Sequence, residues 1–241
     1  MSSPVPPQSV EEVFWSACTS GNLQLLNELL CQPLNVNWCD PELHRSGLYR
    51  AAGHGNSRVV ARLLKDHRVD VNEPTNDSAT PLFIAAQGGF EDVVSLLLLH
   101  PKTDVNAPNS AGATPLWQAC WMGQEEVVRM LLMHSLVRQN VRNREGSTPL
   151  WIAAQQGHVR VVKLLLASTR NLDLDATWER NHKPAVEQAL QNGHEEIVEV
   201  LQAYQLSRDQ VRDQLRAELH TLGKGHSPFS HTNQGLPYPL L

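Results

Sequence analysis

Positive charge is in short supply: 20 Lys and Arg face 25 Asp and Glu over 241 residues, a net charge of −5. Such a balance leaves no overall positive field to hold a nucleic-acid backbone or an anionic membrane surface, so neither partner is expected. Cysteine is sparse. Cys18, Cys31, Cys39 and Cys120 form no Cys-x-x-Cys pair and no disulfide-dense pattern, which fits reduced thiols in an intracellular compartment. Long apolar runs are missing too, since the densest, Val93 to Leu99, is broken by Ser95 and too short to span a bilayer. The opening MSSPVPPQSV lacks the basic-then-apolar layout of a secretory signal. A non-secreted, cytoplasmic protein is expected, with the nucleus as a second compartment. Catalytic signatures are absent as well: there is no His-Glu-x-x-His, no Gly-x-Ser-x-Gly, no phosphate-cradling glycine loop and no nucleotide fingerprint. The 11 histidines are scattered, and the adjacent His194, Glu195 and Glu196 cannot converge on one ion from a helix start. No catalytic residue, cofactor or metal is therefore read from the sequence, and the protein is not expected to be an enzyme.

What is present is repetition. Gly21, Gly55, Gly89, Gly123, Gly157 and Gly193 are separated by 34, 34, 34, 34 and 36 residues. Eight or nine residues before three of them stand Thr80-Pro81, Thr114-Pro115 and Thr148-Pro149, with Ser46-Gly47 in the same place in the second copy. Threonine followed by proline starts a helix, because the hydroxyl caps a free amide and proline occupies a site that needs no donor. Paired small residues follow, such as Ala51-Ala52, Ala85-Ala86 and Ala153-Ala154, and let a short first helix lie close to its neighbours. After the glycine turn, pairs such as Val127-Val128 and Leu131-Leu132 place one apolar face on a second helix. Neither helix alone offsets its ordering entropy; stacking on the next copy supplies the burial.

The signature Thr-Pro-Leu, Ala-Ala, Gly, Val-Val, Leu-Leu resembles the ankyrin repeat, with one residue more per period than the usual 33 or so. The resemblance implies an all-α solenoid of stacked helix-turn-helix units with hairpin-like connectors: six repeats over residues 10–204, the first and last acting as caps. Glu187, Gln188, Glu195, Glu196 and Glu199 suit a polar outer face on the last. Val211, Leu215, Leu219 and Leu222 predict a short amphipathic helix within 205–222, packed on the sixth repeat. Residues 1–9 and 223–241 are expected to be disordered tails.

The family's usual Thr-Pro-Leu-His loses its histidine in every copy, and Trp15, Tyr49, Phe83, Trp117 and Trp151 stand there instead. Because that histidine hydrogen-bonds neighbouring connectors, the resemblance implies that these aromatics hold the repeats by packing, either as a buried ladder or with one edge open to a partner. The next position varies in type, as a recognition surface requires. Arg50, Ile84, Gln118 and Ile152, with Trp121 and Met122 beside the turn, are the candidate partner contacts. Glu73 and Asp77 give one connector tip acidic character; Arg138, Arg142 and Arg144 make another basic. Asn72 and Asn106, each in an L-x5-DVN spacing, are similar to asparagines hydroxylated in ankyrin proteins, against a plainer role in bracing the connector. The expected function is a non-catalytic, monomeric scaffold or adaptor that binds another protein on the concave helix face and connector tips. The alternatives are a host-directed regulatory or effector role, a nucleic-acid binder using the arginine tip, and an enzyme with a concealed site.

Overall fold

The computed structural model of the chain describes residues 9–168, 171–179 and 182–222, with side chains to residue 219. Residues 1–8 and 223–241, expected as disordered tails, lie outside the described residues. Thirteen α-helices and no strand occur among the described residues; two isolated bridges, Cys39 to Ser46 and Thr177 to Pro184, close connector hairpins. The chain divides into two compact units, 1–115 and 116–241.

The first unit carries α1 (Val10–Ser20), α2 (Leu23–Leu30), α3 (Gly47–Gly53), α4 (Ser57–Leu63), α5 (Pro81–Gly88) and α6 (Glu91–Leu99). Each odd helix packs on its even partner, while α1, α3 and α5 form one row and α2, α4 and α6 a second. Local chemistry sets the helix starts. The Thr80 hydroxyl accepts the Phe83 N–H at 3.3 Å with Pro81 as first helical residue, and Ser46 does the same for Tyr49 at 3.1 Å. The opening helix solves the problem differently. Ser9 accepts from Glu12 N–H while the Glu12 carboxylate accepts from Ser9 N–H, a reciprocal capping box that starts α1 at Val10 and ties Ser9 to the fold rather than to the tail.

The second unit takes in all but the first residue of α7 (Pro115–Met122), then α8 (Glu125–Met133), α9 (Pro149–Gln156), α10 (Val159–Ser168), α11 (Ala185–Gln191), α12 (Glu195–Leu206) and α13 (Arg208–Leu222). Its core is the small-residue and leucine set expected from the repeat: Ala119, Cys120, Val128, Leu131, Ala153, Ala154 and Leu165 are all fully buried.

The turn glycine is a socket as well as a hinge. Gly123 sits at φ 68°, and a Cβ there would come within 2.6 Å of the His158 ring, whose Nε2 lies 3.0 Å from the Trp121 carbonyl. The turns at Gly21, Gly55, Gly123 and Gly157 are each met by a side chain from the following repeat, Asn56, Phe90, His158 and His194. In the first unit Asn56 holds the Cys18 and Thr19 carbonyls, at 3.0 and 2.9 Å, over Gly21.

Two expectations need correction. Gln188 is buried, its amide donating to Asn192, so of the five polar residues expected on the outer face of the last repeat only Glu187, Glu195, Glu196 and Glu199 are exposed. The terminal helix α13 packs on α10 as well as on α12. Leu164, Leu165 and Leu166 are all buried, which makes α10 apolar around most of its circumference, and a helix of that kind needs cover on more than one side. α13 supplies it with Leu215 and Leu219. Polar ties fix the seat: Arg216 Nε donates to the Ala167 carbonyl at 2.8 Å, and Lys163 bridges Glu196 and Glu218 at 3.0 Å each.

Candidate functional site

The aromatic series occupies the slot facing the next connector, and it does more than pack. Trp15 Nε1 donates to the Arg45 carbonyl at 2.8 Å, Trp117 Nε1 to Ser147 Oγ at 3.1 Å and Trp151 Nε1 to the Lys183 carbonyl at 2.8 Å. Indole therefore performs the connector hydrogen bond expected to be lost with histidine, which corrects the expectation of packing alone. The physical reason is shape: an indole N–H at the far end of a large ring reaches an acceptor on the next connector while filling the gap. Phe83, Trp117 and Trp151 are buried, whereas Trp15 and Tyr49 are half-buried.

Of the six candidate contacts, Arg50 and Ile84 belong to the first unit and the other four to the second. Arg50 is half-buried: its guanidinium lies 4.8 Å from the centre of the Trp15 ring, and Nε donates to Thr19 Oγ1 at 3.3 Å. Ile84, also half-buried, lies against Gly53, where an added Cβ would meet it at 3.0 Å. Gln118 and Ile152 are only 4% and 5% exposed, so they have almost no surface to offer a partner. Trp121 and Met122 differ. They are 44% and 46% exposed at the C-terminal end of α7. The Trp121 ring meets Trp117 edge-on, with centroids 5.4 Å apart at 62°, and Trp117 is itself pinned by its bond to Ser147. An exposed indole propped on a buried one, with its own carbonyl held by His158, is already ordered before anything binds.

The connectors show which asparagines brace them. Asn72 Nδ2 donates to the Lys102 carbonyl at 2.7 Å, and its Oδ1 accepts the Asp104 N–H at 2.9 Å. Asn37 and Asn140 make the same pair of bonds one repeat ahead, so this is a structural device of the repeat. At Asn106 the backbone N–H donates to Asp104 Oδ1 at 3.0 Å. The basic tip is partly neutralised, because Arg142 pairs with Asp173 at 2.7 Å. The acidic tip faces a histidine, Glu73 lying 3.9 Å from His44 Nδ1.

Elsewhere, two thiols are inert: burial pushes Cys18 up to about 12 and raises Cys120 further. One grouping escaped the sequence reading, the side chains of Cys39, His44 and Glu73, whose donor atoms meet between two connectors. Its signal was available in the period, since residues 39 and 73 are one repeat apart and so stand side by side.

Against known families, the model described as "Ankyrin repeats (3 copies)" matches over residues 14–109, 70–143 and 133–210. A crystal structure of an ankyrin repeat domain from Acinetobacter baumannii AYE is similar, with 25% identity, a TM-score of 0.70, and coverage of 79% of this chain and 96% of that one. No curated protein matches. No helix among the described residues is long and apolar enough to cross a membrane.

Proposed function

The chain belongs to the ankyrin-repeat family, and from that premise we propose that it is a non-catalytic scaffold or adaptor that binds another protein as a monomer, with Trp121 and Met122 as its anchors. Ankyrin repeats are generally protein–protein interaction modules and typically non-enzymatic. The observation that carries the reading is the exposure of Trp121 at 44% on a rigid aromatic support, where the equivalent residues of the neighbouring repeats are Gln87 and Gln155. An apolar ring held open to water in one repeat and replaced by glutamine in its neighbours is no requirement of stacking. Interfaces concentrate their energy on such preordered aromatic anchors.

Arg50 and Ile84 offer a second contact zone on the first unit, while Gln118 and Ile152 serve by packing. The partner must present an apolar recess for the indole and the thioether. Neither nucleic-acid binding nor a concealed enzyme gains support, since one arginine of the basic tip is tied to Asp173 and the thiols of Cys18 and Cys120 are buried and inert. The test begins with affinity capture on the immobilised chain and continues with titration of the identified partner. Trp121→Ala should weaken binding by about thirtyfold or more while leaving the unfolding midpoint nearly unchanged. Unchanged affinity in a folded variant would remove Trp121 from the interface.

A further inference from the structure

The stacking period puts residues 39 and 73 in equivalent places on consecutive connectors, and they are cysteine and glutamate; the next equivalent position is Ala107, which can hold nothing. Five residues after Cys39, His44 stands at the connector tip with φ 55°, in the left-handed region. The equivalent tip residues 34 and 68 positions on, in the connectors leading into α5 and α7, are Ser78, at φ 58°, and Gly112, at φ 78°. A ring in a slot that glycine fills without cost is a local departure from what the backbone prefers. The donor atoms of Cys39, His44 and Glu73 all lie within 4.8 Å of one another.

The frame around them is stiff. Asp40 sits inside the hairpin tip, its carboxylate accepting the Leu43 and Arg45 N–H groups at 2.9 Å each and the Arg45 guanidinium at 2.9 Å. The following connector is fastened to that tip by Asn76, whose N–H donates to the Leu43 carbonyl at 3.1 Å and whose Nδ2 donates to the Glu42 carbonyl at 2.9 Å. Cys39 and His44 are therefore held near Glu73 largely by bonds of their neighbours Asp40 and Asn76. His44 Nδ1 lies 3.0 Å from the Pro74 carbonyl. The same nitrogen lies 3.9 Å from Glu73 Oε1, so the ring edge that carries Nδ1 is the one turned towards the following connector.

We propose that Cys39, His44 and Glu73 bind a zinc-class divalent cation that clasps the connector leading into α3 to the one leading into α5. One sulfur, one imidazole nitrogen and one carboxylate oxygen form a donor set suited to zinc, at distances of about 2.0–2.3 Å from the metal, and three protein ligands leave a fourth position for water. Ligand atoms that sit within 4.8 Å need contract by only about 1 Å to meet that geometry. With the His44 side chain 52% exposed and that of Glu73 23% exposed, the ion has a path in from solvent. Binding displaces the thiol proton of Cys39 to water, and no bond is otherwise made or broken.

The experiment is calorimetric titration of the reduced full chain with zinc, repeated with cobalt to read the near-ultraviolet thiolate-to-metal absorption. Wild type should take up one ion per chain. Cys39→Ser and His44→Gly should each weaken uptake by about tenfold or more, and Cys39→Ser should abolish the cobalt band. His44→Gly relieves the left-handed strain, so its loss of binding cannot be ascribed to misfolding. Cys31→Ser, which removes the exposed cysteine, should leave both signals intact. The proposal is overturned by the absence of saturable uptake in wild type, by uptake that survives Cys39→Ser and His44→Gly, or by uptake lost in Cys31→Ser.

Discussion

Trp15 and Trp151 occupy the same slot four repeats apart, and both donate the indole N–H to a connector carbonyl at 2.8 Å. Their seats have little else in common. Trp15 is half-buried under two guanidinium groups, with Arg45 at 5.8 Å and Arg50 at 4.8 Å from the ring centre. Trp151 is 2% exposed and leans on Trp178, centroids 5.8 Å apart. The connector bond is thus the constant of the slot, and the remaining contacts can be supplied by charge or by a second ring. A cation over a partly exposed ring contributes about 0.5–1 kcal/mol and an aromatic pair about 0.5–1.5 kcal/mol, so the two seats differ mainly in how much surface they bury.

Truncation is the harshest way to break that comparison. Trp151→Ala should cost about 3–5 kcal/mol in chemical denaturation, as removal of a buried indole does. Trp15→Ala should cost at most about 2 kcal/mol, since a half-exposed ring loses less burial. Equal losses would mean that the guanidinium seat is as good as the aromatic one. A finer cut keeps the ring and removes only the donor. Trp151→Phe should cost about 0.5–1.5 kcal/mol as it removes the bond to the half-buried Lys183 carbonyl, while Trp15→Phe should cost no more than that, since its ring is the more exposed and water more readily replaces the lost partner. Larger loss at Trp15 than at Trp151 would reverse the assignment of which seat depends on its hydrogen bond.

Much of this was legible in the chain because it is periodic. The turn glycines, the Thr-Pro starts and the leucine pairs are local signals, and Thr80, Thr148 and Gly123 act in the structure as their chemistry dictates. Contacts between repeats were less legible. That an indole nitrogen reaches a carbonyl 30 to 32 residues on depends on the ring's length and tilt, which residue type alone does not encode. Gln118 and Ile152 share the alignment column of Arg50 and Ile84, yet they are buried where the latter two are half-buried, a difference that residue type and period do not encode. Trp121 shows the limit from the other side. Its place beside the turn could be read from the sequence, but its support by Trp117 required the helix geometry that puts residues four apart on one face.

The smallest expected effect concerns protons. Burial works against the Asp40 carboxylate, yet hydrogen bonds from the Arg45 guanidinium and from the Leu43 and Arg45 amides outweigh it and hold the pKa at about 2. An unfolded aspartate titrates near 4, by ordinary values, so the folded carboxylate is the stronger acid. Its contribution is complete above about pH 4 and is lost as the pH falls towards about 2. Asp66, held at about 2 chiefly by Arg68, titrates over the same window. Asp40→Asn should therefore flatten the acid limb of stability without abolishing it. Asp40 fixes Arg45, and Arg45 both accepts the Trp15 bond and covers its ring. The cost of Trp15→Ala in urea should consequently shrink between pH 4 and pH 2 in the wild-type background and stay constant in Asp40→Asn, a coupling of the kind double-mutant cycles isolate. A cost that changes equally with pH in both backgrounds would detach the carboxylate from the tryptophan and leave the first seat resting on Arg50.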